Sequence, residues 1–121
     1  MAPRVGRSGS GDVLAIGSPG ADRITTALTQ VLAAFTVGCG DLQQAIDRPR
    51  LHVHHLADAE DAVRIEAEED MPLPETDLEV RRHHRLSTYF GGVAAAHRSA
   101  SGEIIAAADP RRAGAVAVGP N

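Results

Sequence analysis

Val13-Leu14-Ala15-Ile16-Gly17-Ser18-Pro19-Gly20-Ala21-Asp22-Arg23-Ile24 decides the fold, because an apolar strand-like run passes through a Gly/Pro-rich turn directly into a helix. The first amides of a helix have no internal acceptor and lie at the positive end of its dipole. A turn of this kind therefore aims donors at an anion, an oxyanion or water. Downstream, Ile24, Ala27, Leu28, Val31, Leu32 and Phe35 recur at helical spacing and predict a helix over 23–37 with one buried face, stopped by Gly38 and Gly40. Upstream, Ser8-Gly9-Ser10-Gly11-Asp12 reads as a hairpin turn, so 2–16 forms two strands, the second feeding the glycine turn.

The pattern continues in short elements. Asp41 caps a second helix, with Gln44 three residues on as in a capping box, and Pro49 ends that helix near Asp47. Residues 51–56 and 62–66 alternate and predict a second hairpin around Asp58-Ala59-Glu60-Asp61. Pro72 and Pro74 break the chain before a short helix expected over 76–84, and 90–97 with 103–108 predict a third hairpin about Ser99-Ala100-Ser101-Gly102. From Arg111 onward an ordered loop or tail is expected. The sum is an α+β fold in which antiparallel hairpins carry most of the sheet and one main helix packs across it.

Composition narrows the function classes. A chain of 121 residues suits one domain, 1–121, and with aromatics at 2% its core is filled by Ala, Val, Leu and Ile. Every basic residue is Arg, yet the formal net charge is −4 and no aromatic platform is available, which argues against nucleic acid as a partner. Cys39, the single cysteine, excludes an internal disulfide and reads as an inert thiol between glycines. No apolar run has signal-peptide or membrane-span length, so the expectation is no membrane partner and a cytoplasmic location by default.

Three motifs in order carry a family resemblance: Gly17-Ser18-Pro19-Gly20-Ala21-Asp22-Arg23-Ile24, then Asp41-Leu42-Gln43-Gln44-Ala45-Ile46-Asp47-Arg48-Pro49-Arg50-Leu51-His52, then Gly91-Gly92-Val93 followed by Asp109-Pro110-Arg111-Arg112-Ala113-Gly114-Ala115. Together they resemble the C-terminal part of the small subunit of a gamma-glutamyltransferase, or glutathione hydrolase, over nearly the whole chain. The resemblance implies part of a four-layer αββα fold of the N-terminal-nucleophile hydrolase type, produced by self-cleavage of a precursor into two subunits. It also implies a Thr nucleophile that attacks gamma-glutamyl compounds such as glutathione, the acyl group passing to water or to an amino acid or peptide. Its own amine would act as base. Backbone amides of two adjacent turn glycines stabilise the tetrahedral intermediate in that family, and these positions fall on Gly20 and Ala21. Oriented donors of this kind contribute on the order of 3 kcal/mol each.

The resemblance also places some machinery outside this sequence. The Thr and a serine pair that holds the glutamyl carboxylate belong upstream of Met1, and an Arg belongs to the large subunit. The expectation is a chain inactive alone, partnered by large-subunit or upstream small-subunit polypeptide. Ala21 stands where the second glycine is usual, and restricts the backbone if a positive φ is required. Asp22 reads as a helix N-cap, its alternative being a charge facing the pocket and opposing glutamyl binding.

Other features have plainer readings. His52 and His54 share a strand face and, with His55, His83, His84 and His97, raise a metal site. No compact partner set supports one, so no metal and no cofactor are expected. The acidic run 58–70 lacks calcium-loop spacing and reads as a solvated hairpin face. Thr25, Thr26 and Thr29 lie within the main helix, on its surface or back-bonded to the preceding turn. Arg111 and Arg112 are expected to form a structural clamp, with Asp109 or with the large subunit as partner. The rival functional class is a non-catalytic interaction module derived from the enzyme, offering sheet edges to a partner chain.

Overall fold

The computed structural model describes residues 1–57 and 62–120; the predicted turn at 58–61 and the Cys39 side chain lie outside the described set. Among the described residues, two sheets and two α-helices make up the architecture, with short 3₁₀ turns and a π-helical extension between them. Strands β1 (Arg4–Arg7), β2 (Val13–Gly17), β6 (Ala94–Arg98) and β7 (Ile104–Ala108) form an antiparallel sheet in the order β1-β2-β6-β7. Strands β3 (Leu51–His55), β4 (Val63–Glu68) and β5 (Glu79–His83) form a second sheet in the order β3-β4-β5. All three expected hairpin pairings are present, β1-β2, β3-β4 and β6-β7. Asp12 ties two of the turns together: its carboxylate accepts from the Ser8 and Ser10 hydroxyls and from the Ala100 N–H.

Residues 79–83 correct the helix expected over 76–84. They form β5, which pairs parallel with β4, Arg64 opposite Glu79 and Glu68 opposite His83. Val80 alone among these residues favours a strand, but the β4 edge supplies backbone partners and Arg82 donates to the Glu68 and Met71 carbonyls. Pairing to an available edge outweighs local preference here.

Helix α1 (Ile24–Ala33) runs on as a π-helix, Ala34–Cys39, and ends at Gly40 with φ +66°. Its apolar stripe packs with α2 (Leu42–Asp47) on one face of the four-stranded sheet. That core comprises Ile16, Ala27, Leu28, Val31, Leu42, Ala45, Ile46, Val93, Ala95 and Ala107, with Ala34 alongside. Asp41 Oδ1 accepts the Gln44 N–H at 2.7 Å, as the capping pattern predicted.

Two glutamines join the layers in a way the periodicity did not reveal. The Gln30 side-chain amide donates to the Leu51 carbonyl and accepts the Leu51 N–H, so it completes the backbone of β3 as a neighbouring strand would. Gln43 does the same for Ala108 at the end of β7. Thr26 hydrogen-bonds His52 Nδ1 at 2.9 Å across the same seam, where a place on the helix surface or a back-bond to the preceding turn was expected. Among the described residues no helix is long and apolar enough to cross a membrane.

Candidate active site

Residues 17–21 leave β2 and turn against a second loop, 90–93, that leads into β6. Ser18 is completely buried; its hydroxyl donates to the Pro19 carbonyl at 2.8 Å and accepts the Gly92 N–H at 3.3 Å. Gly91 has φ +81°, and a Cβ there would fall 2.7 Å from Ser18 Oγ and 2.8 Å from the Pro19 oxygen. A Cβ on Gly20, where φ is +130°, would meet the Gly91 Cα at 3.3 Å. Both glycines are thus explained by two backbones in contact with no room for a side chain.

Ala21 follows with φ +50°, so the left-handed conformation that a glycine would adopt freely is imposed on an alanine. Residues Ala21–Arg23 form a 3₁₀ turn in which the Arg23 N–H closes on the Gly20 carbonyl at 3.1 Å. The Gly20 and Ala21 amides precede the first N–H that closes this turn. Asp22 does not serve as the expected N-cap. It lies within the 3₁₀ turn, exposed, with Gly20 before that turn and Arg23 before α1, and neither cap residue makes a side-chain cap bond.

Arg23 stacks over the Tyr89 ring, its guanidinium carbon 4.3 Å from the ring centroid. Tyr89 in turn stacks on His83, centroids 4.3 Å apart and planes 20° off parallel. His83 Nε2 meets the buried Glu66 carboxylate, whose other oxygen accepts from Arg64 Nε at 2.8 Å. Burial raises the Glu66 carboxyl, but the His83 and Arg64 hydrogen bonds outweigh it and hold the group below its ordinary value. Burial, with Glu66 nearby, raises the Tyr89 phenol, against the opposing Arg23. Burial and the Arg23 and His54 charges push the His52 imidazole down.

Behind the two loops lies a buried charge network. Asp109 Oδ2 accepts the Val93 N–H at 2.8 Å and pairs with Arg50 NH1 at 2.7 Å, while its other oxygen meets Arg111 NH1 at 3.1 Å. Arg111 also grips Glu68 and donates to the Ile46 and Arg48 carbonyls. Glu68 accepts the Arg50 and Ser87 N–H groups, and Arg50 reaches the Phe90 and Ile46 carbonyls. The expected clamp therefore exists at Arg111 with Asp109 as one partner, whereas Arg112 is exposed. Glu68 and Arg50, which carry half of the charge, were missed by sequence reasoning; their signal was a Pro-Arg and an acidic strand end, both ordinary on their own. Burial lowers the Arg50 guanidinium with Asp109 opposing. At Arg111 burial also acts downward, but Glu68 and Asp109 outweigh it and raise the group.

The histidines disperse. His52 and His54 do share a face, ring centroids 6.4 Å apart, but His83 is in the Tyr89 stack and His97 packs edge-on against Phe35. Among the described residues no group of three or more His, Cys, Asp or Glu is arranged to hold a metal. Thr25 and Thr29 are exposed on α1, so the structure brings neither to the turn as a terminal nucleophile.

The gamma-glutamyltranspeptidase family model matches residues 1–119. Among solved structures, the chain is similar to the Bacillus anthracis transpeptidase enzyme CapD. Identity is 30% and the TM-score 0.75, over 98% of this chain and 70% of that one. It superposes on gamma-glutamyltranspeptidase from Pseudomonas nitroreducens complexed with L-DON at TM-score 0.73 and 24% identity, covering 99% of this chain and 62% of that chain. A mutant of Helicobacter pylori gamma-glutamyltranspeptidase gives TM-score 0.72 and 24% identity, over 92% and 60% respectively. No curated protein sequence matches. A mixed α/β chain with hairpin sheets, a Gly20-Ala21 turn held by Gly91-Gly92, and a match over residues 1–119 belongs to the gamma-glutamyltranspeptidase family.

Proposed function

We infer that this chain supplies the oxyanion-binding part of a gamma-glutamyl acyl-transfer or hydrolysis site, with the Gly20 and Ala21 N–H groups as donors to the tetrahedral intermediate. The observation that carries it is the turn itself: two amides ahead of the first turn-closing bond, in a backbone set by Ser18, Gly91 and Gly92. Donors fixed in place before charge develops cost no reorganisation during reaction. The reading takes residues 1–121 as one domain, the C-terminal part of a small subunit in an αββα fold of the N-terminal-nucleophile type. The Thr nucleophile and the groups holding the glutamyl carboxylate would come from large-subunit or upstream small-subunit polypeptide. Thr26, bonded to His52 inside α1, is not available for that role.

The test is reconstitution. The 121-residue chain alone should release p-nitroaniline from gamma-glutamyl-p-nitroanilide no faster than buffer. Supplied with the upstream Thr-containing segment and large subunit of a family member, it should turn over. Turnover by the chain alone would disprove this assignment.

A second reading, a non-catalytic interaction module, is favoured by one feature. On the face of the four-stranded sheet away from the helices, Ala15, Ala94, Ala96 and Ala106 stand exposed in neighbouring strands. Stable partner capture without turnover in the reconstitution would select it.

A further inference from the structure

The short segment Tyr89-Phe90-Gly91-Gly92 touches the turn at both ends: Gly91 and Gly92 hold Ser18, and Tyr89 holds Arg23. Between these grips lies Ala21 at φ +50°, a conformation that an alanine keeps only where its surroundings over-determine it. The upstream grip is a packing contact and a hydrogen bond. The downstream grip is a stack running Arg23, Tyr89, His83, Glu66, Arg64, and the last three members sit on β4 and β5. Arg23 Nε is buried with no hydrogen-bond partner, so the cation relies on the Tyr89 ring face for part of its stabilisation. The Arg23 N–H is also the donor that closes the turn on Gly20.

The geometry points to Arg23 as a positioning residue for the Gly20 and Ala21 donors, acting through its stack on Tyr89 and locking the turn to the second sheet. This rests on the oxyanion assignment above, but its test reads the turn without substrate, so the two stand or fall separately. A lost stack leaves the left-handed Ala21 free to relax. Relaxation about that φ and the preceding ψ turns the peptide plane that carries the Ala21 N–H, and so changes its direction relative to the Gly20 N–H one peptide earlier.

Tyr89 is the only tyrosine and there is no tryptophan, so its emission reports the stack directly. In the full chain, Arg23→Met should shift Tyr89 emission and raise amide hydrogen exchange at residues 23 and 24, whose N–H groups close the turn on the Gly20 and Ala21 carbonyls, by about 3- to 10-fold, the range of a partly buried cation–π contact. Amides of Ile46 and Val93 should stay within about 2-fold, because the core they report is untouched. Arg23→Lys should restore most of the protection. Leu32→Ala, which weakens the core away from the stack, is the control and should leave the ratio of the residue 23 and 24 amides to the core unchanged. If Arg23→Met does not fold, Tyr89→Phe against Tyr89→Leu decides: the ring-bearing variant should keep protection and the aliphatic one should lose it. Equal exchange in that pair, or a change in Arg23→Met spread evenly over the chain, would overturn the proposal.

Discussion

At the scale of single residues, the strained Ala21 and the crowded Gly91 make opposite predictions. Ala21→Gly relieves a left-handed alanine, and should raise the unfolding free energy by about 1 kcal/mol in denaturant melts. Gly91→Ala places a methyl against Ser18 Oγ and the Pro19 oxygen with φ already positive, and should cost about 3 kcal/mol or more, enough to separate the two loops. A neutral Gly91→Ala would mean that the loops are not in contact. Neither effect is a matter of composition; each follows from where a backbone has no space.

Elements are joined by buried charge and by titratable groups. Arg111→Met leaves Glu68 buried without its paired guanidinium and Asp109 with Arg50 alone, and should cost about 3–5 kcal/mol, because an unpaired interior charge is worse than none. A loss below about 1 kcal/mol in the same melts would show the network to be dispensable. Acid should loosen the contact between α1 and β3 first. The His52 imidazole is lowered from its ordinary 6.5, so the unfolded chain binds the extra proton first and stability falls as pH drops below 6.5. Glu66, held below its ordinary value of 4.5, adds a loss as pH falls below that value. Asp12, lowered by the Ser10 and Ser8 hydroxyls from 3.8 to about 2, adds another between those limits as the tie between the β1-β2 and β6-β7 turns is protonated. Urea midpoints measured from pH 7 to pH 2 should show this order, and His52→Gln should remove the slope that begins below pH 6.5 while leaving the lower ones.

The whole molecule exposes 7520 Å² of surface, against about 6,200 Å² for a compact monomer of this mass. Part of the excess is the small-residue face of the four-stranded sheet, where the side chains are too short to shield the backbone from another chain. The isolated chain should therefore self-associate or depend on a partner. Sedimentation velocity should show species larger than monomer, and Ala96→Lys at the centre of that face should reduce them. A wild-type chain that stays monomeric and melts cooperatively would contradict this.

The sequence by itself determined the three hairpin pairings, the helix over most of 23–37, the Asp41 cap and the turn at 17–21. Each rests on local rules: period-2 and period-3.6 apolar spacing, turn residues, and a side chain bonding a backbone three residues away. Only the tertiary structure decided that residues 79–83 are a strand, because their partner, β4, comes from another part of the chain. It alone replaced the Asp22 cap by an Arg23 stack on Tyr89, and it alone joined Arg50 and Glu68 to the Asp109-Arg111 pair in one buried network. Charges so far apart in sequence carry no local periodicity, and their pairing is fixed only once the strands and loops that hold them have packed. The Gly20-Ala21 turn lies between these limits: its residues announced a helix-facing set of donors, but the positive φ of Ala21 and the grip of residues 89–92 come from packing.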